Sequence, residues 1–311
     1  MKIITEEMKY RKKMCEYAIK NGVSKAARKY HTNRQFVYRQ LSKYDGTVKS
    51  LELKSRQPKS HPNAHRCEEV ELLKKVSKRY KCDGNAEVYV QAIKRGYTRS
   101  FGSMNKQLKK LLVKVNKRKT KKSYTKHNEV RGTYPGDKVQ VDIKYVPNQC
   151  LDFETTEMRY YQITAIDEYS RKRVLEIVDE KSCYNMSKFI MKLEERLGFK
   201  IITVQTDNGS EFVNNQEETK QKTLFEQTLK KLGMKHKRTR PYSPWQNGKV
   251  ERSHRIDNGF YERQVFKSKE DMKSKVKRYN SRYNNVSRKV LKFKSPNEIV
   301  NEYFQTQKCK V

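Results

Sequence analysis

The sequence predicts a multidomain protein: all-α modules first, then a mixed α/β domain with a five-stranded sheet, then a basic helical C-terminal region. Three observations lead there. Short helical stripes punctuated by Asn21-Gly22, Gly96 and Gly102 fill the first third. From residue 134 the hydrophobic period switches from helical to alternating, as "KVQVDIKYV" shows. Strands and helices then interleave as three strands, helix, strand, helix, strand, the order of a mixed sheet covered by helices.

The first module reads as three helices. Residues 5–20 carry an apolar stripe through Met8, Cys15, Tyr17 and Ile19, and Gly22 suits the positive-φ stop. Ser24 is the expected cap of a short helix, "SKAARKY", in which Ala26 and Ala27 permit close packing. Thr32 or Asn33 caps a third helix, "RQFVYRQLSKY". Two short, tightly joined helices form the helix-turn-helix pattern. Arg34, Gln35, Tyr38 and Arg39 on the last helix suit base edges and phosphates.

The expected divisions are 1–46 for this module, 47–64 for a Pro- and Ser-containing linker, and 65–118 for a second helix-turn-helix-like module. Residues 119–133 form a basic linker, 134–266 the α/β domain and 267–311 the basic helical end. The second module comprises helices over 67–79, 85–94 and 101–115.

The α/β domain has expected strands in "KVQVDIKYV", "MRYYQITAID", "RKRVLEIVD", "KIITVQT" and "KHKRTR". Amphipathic helices cover 184–197 and 222–233, and a longer one starts near Asn247. A basic helix follows in "KEDMKSKVKRYNSRYNN", and "FKSPNEIV" adds a short one after Pro296.

The formal net charge is +37, which speaks of a polyanionic partner and not of fold. Residues 1–130 contribute +24, yet residues 141–220 sum to −4. A local acidic patch in so basic a chain suggests metal ions between protein carboxylates and phosphates. The six cysteines form no C-x-x-C pair and no zinc spacing, so neither a zinc site nor a disulfide framework is expected. The charged N-terminus has no signal core, and no apolar run spans a bilayer, so a cytoplasmic protein working near DNA is expected.

Three carboxylates stand out by position. In "VQVDIKYV", Val139, Val141, Ile143 and Tyr145 share one strand face and Asp142 projects from the other. Asp207 sits where the apolar "IITVQT" ends, before the Asn208-Gly209 turn, at the strand edge where open α/β sheets bind ligands. Glu251 lies on the first turns of a helix, with Asn247 and Arg255 on its face. Taken singly, a strand Asp is more often an ion-pair partner, an Asp-Asn-Gly a turn, and a helix Glu a solvated residue.

Their combination carries a resemblance. The stretches "VQVDIKYV", "ITAIDEYSRKRV", "TVQTDNGSEF" and "RPYSPWQNGKVERSHR" make residues 134–266 similar to the integrase catalytic core of bacterial insertion-sequence transposases. This is the DDE group, related to retroviral integrases and built on an RNase H-like fold. Residues 1–64 resemble the helix-turn-helix front of such transposases.

The resemblance implies Asp142, Asp207 and Glu251 as catalytic ligands of two Mg²⁺ or Mn²⁺ ions. It also implies cleavage and strand transfer at the ends of an element, double-stranded DNA as substrate and target, and a homo-oligomer on DNA. One departure is spacing, since Glu251 follows Asp207 by an interval longer than this group usually shows. The polar stretch "VNNQEETKQKT" is the expected site of the surplus.

Around the triad, Asn208, Gln246, Asn247, Lys249 and Arg252 are candidate DNA contacts. His254 suits either a phosphate contact or helix packing, and Trp245 either a base stack or a wedge before the helix. Glu211 and Asp257 compete with Glu251 for the third carboxylate, with Glu211 expected to leave on the turn; Asp167 reads as a hairpin-turn residue. Two other functions fit parts of the chain: a domesticated, non-catalytic DNA-binding regulator, and an RNase H-like nuclease. The complete triad argues against the first and the N-terminal modules against the second.

Overall fold

The computed structural model describes residues 5–53, 58, 61–111, 132–153, 159–214, 221–241 and 243–308. Most of the expected basic linker and most of the "VNNQEETKQKT" stretch lie outside the described residues. By internal contacts the chain divides into residues 1–64 and 65–311.

In the first unit, α1 (Glu6–Asn21), α2 (Val23–Lys29) and α3 (Arg34–Leu41) enclose Met14, Ala18, Ala26, Ala27 and Val37. Gly22 alone joins α1 to α2, at φ 86°. A one-residue connection leaves no place for an extended cap, so Ser24 lies inside α2 and is not its cap. Asn33 caps α3, its side chain accepting from the Phe36 N–H at 2.7 Å. Ile19 is 67% exposed, and Met14 and Ala18 fill the inward stripe in its place. Leu51, within the expected linker, is buried, and Arg11 donates to its carbonyl oxygen.

In the second unit, α4 (Cys67–Tyr80), α5 (Asn85–Ile93) and α6 (Phe101–Leu111) pack around Leu73, Val76, Val88, Ala92, Met104 and Leu108. Gly96 turns the chain at φ 92°, whereas Gly102 is absorbed into α6. This trio docks on the C-terminal region. Arg282 grips both oxygens of Asp83 at 2.8 and 2.6 Å, and the Glu87 carboxylate accepts from the Ser287 N–H at 2.7 Å. Phe293 packs on Tyr89 and Phe101, each at 5.1 Å between ring centroids.

The sheet contains β1 (Lys138–Tyr145), β2 (Tyr161–Asp167), β3 (Arg173–Val178), β4 (Thr203–Thr206) and β5 (Lys235–Arg238), in the order β3-β2-β1-β4-β5. The hairpins β1–β2 and β2–β3 are antiparallel, whereas β4 and β5 join parallel. Asp167 is fully buried and organises the β2–β3 turn, accepting from the Ser170 N–H and hydroxyl and from the Gly136 N–H.

One apolar cluster joins Val139, Val141, Ile163 and Val204 to helices α7 (Cys183–Met191), α8 (Leu193–Leu197) and α9 (Leu224–Lys231). The single helix expected over 184–197 is two, divided at Lys192, where φ is −101° and ψ 0°. Tyr145 is not buried in that cluster; it is 57% exposed and meets Tyr161 ring to ring in a tilted contact at the strand end, where cover runs out. The polar side chains of β1 face α10 (Gly248–Tyr261), with α11 (Lys269–Asn285) against β3. The last helix, α12 (Pro296–Lys308), exceeds the short one expected, and Val300 anchors it on the main cluster.

Candidate active site

The strand alternation that buries Val139 and Val141 puts Gln140, Asp142 and Lys144 on the opposite face. Parallel pairing of β1 with β4 sets Gln140 beside Gln205. The two strands therefore run in step, "VQVD" beside "VQTD", with Asp142 and Asp207 just beyond the paired glutamines.

Those glutamines hold α10. The Gln140 amide oxygen accepts from the Lys249 and Val250 N–H groups, each at 3.2 Å, and its Nε2 donates to the Gln246 carbonyl at 2.8 Å. Gln205 Nε2 donates to the same carbonyl at 2.8 Å and to Asn247 Oδ1 at 3.1 Å. Asn247 gives α10 no side-chain cap, so Gln140 satisfies helix-end N–H groups from across the sheet. The start of α10, and Glu251 on its first turn, is thereby located against both aspartates.

Asp142, Asp207 and Glu251 line one cavity of about 280 Å³, with Asn208, Arg240 and Asn247 also in its wall. Burial, together with the charges of Asp207, Glu211 and Glu251, pushes the Asp142 carboxyl up to about 7. Asp142 still accepts from the Ile143 N–H at 2.8 Å, and Asp207 from the Gly209 N–H at 3.1 Å.

A cluster of mutually repelling carboxylates without thiols has the donor chemistry of a hard divalent cation. Among the described residues, no three His, Cys, Asp or Glu side chains converge closely enough to hold one metal ion. The three carboxylates share a cavity without closing on one point.

His254 sits behind Asp142, with Nδ1 at 3.5 Å from its carboxylate and Nε2 at 3.0 Å from the Thr164 hydroxyl. Burial and the charges of Lys144 and Arg173, against an opposing pull from Asp257, push it down to about 4. It is neutral near pH 7, so its contact with Asp142 is that of a dipole and not of an ion pair.

Comparison with known proteins gives the family of the domain that carries this cavity. Residues 132–244 match the family described as "Integrase core domain", and residues 232–289 match a second family of the same description. Residues 132–289 are an integrase core. Its sheet and helices are of the RNase H-like type.

The inferred integrase ORF3 of Spiroplasma virus SpV1-C74 is 35% identical over 125 residues, 37% of this chain. The chain matches only 33% of the length of that relative. Among solved structures, the simian T-cell lymphotropic virus intasome in complex with PP2A regulatory subunit B56 gamma aligns at TM-score 0.44 and 17% identity, over 73% of this chain and 74% of that one. The HTLV-2 integrase catalytic core domain in complex with magnesium (trimeric form) aligns at 0.40 and 16%, over 54% of this chain and 99% of that one.

The remaining residues singled out by sequence divide by position. Arg34, Gln35, Tyr38 and Arg39 are exposed together on α3. Asn208 lies in the cavity wall, its amide donating to the Thr239 carbonyl at 3.0 Å. Gln246 accepts from the Arg240 N–H at 3.0 Å, and Asn247 is only 5% exposed. Lys249 turns inward and pairs with Glu168 at 2.6 Å, so the core holds the ammonium expected to meet DNA. Although burial opposes it, hydrogen bonds from Lys249 and Lys138 keep the Glu168 carboxyl below its usual range. Arg252 lines a different groove. Trp245 is 45% exposed before α10.

Of the two competing carboxylates, Asp257 is fully buried and pairs with Arg173 at 2.7 Å. Glu211 does not leave on the turn. It folds back, buried, to meet Lys181 at 3.0 Å, and a Cβ on Gly209 would stand 2.5 Å from its oxygen. Sequence reasoning missed Gln140 and Gln205 and misplaced Glu211. The repeated V-Q-x-D was the available signal for the first two, since period 2 places Gln and Asp on one face.

Proposed function

We propose that the protein is a DNA transposase that cleaves and transfers DNA strands at the ends of an insertion sequence, using Asp142, Asp207 and Glu251 to hold two Mg²⁺ or Mn²⁺ ions. The observation that carries this reading is the single cavity in an integrase core that receives a carboxylate from β1, one from the end of β4 and one from α10.

Ions held by Asp142, Asp207 and Glu251 would supply activation of the attacking oxygen and stabilisation of the leaving oxygen. The protein's part is placement and charge. Asp142 lies on β1 and Asp207 directly follows β4, each two residues beyond the paired Gln140 and Gln205 of these adjacent parallel strands. Glu251, exposed at the mouth, is the third donor, and the start of its helix is tied to the paired strands through Gln140 and Gln205. Arg240, in the cavity wall, offers a cation to a non-bridging phosphate oxygen. Neutral His254 and Thr164 orient Asp142 from behind.

The exposed face of α3 supplies base and phosphate contacts to the element end, and the basic helices that follow add sequence-independent attraction. Double-stranded DNA is then both substrate and target. A homo-oligomer supplies one active site for each of the two ends.

The test is strand cleavage and strand transfer by the full chain on duplexes bearing the inverted repeats that flank its reading frame. Activity is expected to require Mg²⁺ or Mn²⁺ and to vanish in Asp207→Asn and Glu251→Gln, with DNA binding kept. Full strand transfer by either variant would overturn the assignment. Specific binding without cleavage in any divalent metal would make the protein a DNA-binding regulator.

A further inference from the structure

We propose that a groove on the face of α10 next to the carboxylate cavity binds a DNA backbone phosphate adjoining the reacting one, through Arg252, Arg288 and Lys289. The inference rests on the reading of the core as a DNA-cutting enzyme.

Helix α10 borders two cavities. Asn247 and Glu251 line the first; Gly248, Arg252 and Ile256 line the second, of about 410 Å³. Successive helix residues point about 100° apart, so Glu251 and Arg252 project to neighbouring faces of the same turn. A helix with its side chains is only about 10–12 Å across. One strand laid over the start of α10 reaches both. The opposite wall is built by the Gly84–Asn85 start of α5 and by the segment after α11.

The charge of this groove is unbalanced. Lys249, Arg252, Arg288 and Lys289 line it against one carboxylate, Asp83. Asp83 is already gripped by Arg282, and Lys249 by Glu168.

Arg288 is the sharpest observation. Its guanidinium lies 3.9 Å from the centroid of the Tyr283 ring, which also carries Arg173 at 3.6 Å. One arm donates to the Tyr283 carbonyl at 3.3 Å, while Nε is buried with no hydrogen-bond partner. Burial lowers its pKa, and the charges of Arg173 and Arg252 push the same way. A buried donor left unmet is costly, and cations do not gather without an anion. A phosphodiester supplies both the charge and the acceptor oxygens that guanidinium groups fit. Such a contact positions the duplex without reading its sequence.

The experiment measures equilibrium binding of the full chain to a labelled duplex in chelator, as a function of salt, so that no cleavage intervenes. Arg252→Gln/Lys289→Gln changes two exposed side chains. The slope of log K against log salt is expected to become shallower by about one, for the one lost phosphate contact. Lys188→Gln/Lys192→Gln, exposed on and after α7, removes the same charge and should leave the slope unchanged. Replacing single phosphates by neutral methylphosphonates should weaken wild-type binding at one or two positions, to which the Arg252/Lys289 variant is insensitive.

Equal slopes for the groove variant and wild type would overturn the proposal, as would equal losses for both pairs. So would inorganic phosphate binding at the groove without any change in the DNA slope. Loss of the proposed transposase reading would appear separately, as absent metal-dependent cleavage by wild type.

Discussion

Replacing Asp257 by alanine should unfold this protein far more readily than replacing Glu251, although both are helix carboxylates only six positions apart on α10. Asp257 and Arg173 are each fully buried. The Asp257 carboxylate accepts from Arg173 at 2.7 Å, Tyr279 at 2.8 Å and Gln162 at 2.9 Å. Alanine leaves the Arg173 charge inside the protein with only neutral partners, Ser253 and Asn280 among them. Removing one member of a buried pair costs about 3–5 kcal/mol. At about 2–4 °C per kcal/mol for a unit of this size, Tm falls by roughly 6–20 °C. Glu251→Gln alters an exposed group and should stay within about 0.5 kcal/mol. Thermal and urea unfolding followed by circular dichroism reads both. The double variant Arg173→Met/Asp257→Leu should recover much of the loss, because no charge remains stranded. Unfolding of Asp257→Ala within about 1 kcal/mol of wild type, or equal damage from Glu251→Gln, would show that the buried pair does not carry this stability.

Other expectations follow from the same geometry. Gln140→Leu strips the acceptor from two N–H groups at the start of α10, at a cost of about 1–3 kcal/mol for each buried group left unsatisfied; strand-transfer kcat should fall while end-binding affinity holds, and an unchanged kcat would exclude the clamp. Because the folded Asp142 carboxyl is raised to about 7 from an ordinary value of 3.8, the folded state holds a proton there that the unfolded chain has lost. In chelator its contribution to stability is therefore greatest below about pH 4 and lost as pH rises through 7. Asp142→Asn should raise Tm at pH 8 and flatten this arm of the profile. Adding Mg²⁺ near pH 7 should raise Tm and release protons, measurable by calorimetry in buffers of different ionisation enthalpy; binding without proton release would contradict the raised carboxyl. Gly209→Ala places a Cβ 2.5 Å from the Glu211 carboxylate, so activity should drop and Glu211→Ala should partly restore it.

Much of this was written locally. The alternation of "VQVDIKYV" alone sends Asp142 away from the apolar core, and the end of "IITVQT" alone puts Asp207 at a strand edge. Periodicity of 2 or 3.6 is a property of consecutive residues, so element type, order and facing were legible. Cap chemistry was less so: Asn33 serves as expected, but Ser24 does not, because Gly22 turns the chain in one residue.

What the chain could not disclose were relations between distant residues. Nothing near Lys249 says that its ammonium is drawn inward by a glutamate eighty-one positions earlier, and nothing near Glu211 says that a glycine lets it fold back, buried, onto Lys181. Parallel pairing of β1 with β4 sets Gln140 beside Gln205, and only that register makes a clamp of two unremarkable amides. Sequence by itself determined which carboxylates face outward from which elements, because backbone geometry fixes side-chain direction. Tertiary structure decided which of them meet in one cavity, because a buried charge is held only by the partner that packing brings to it.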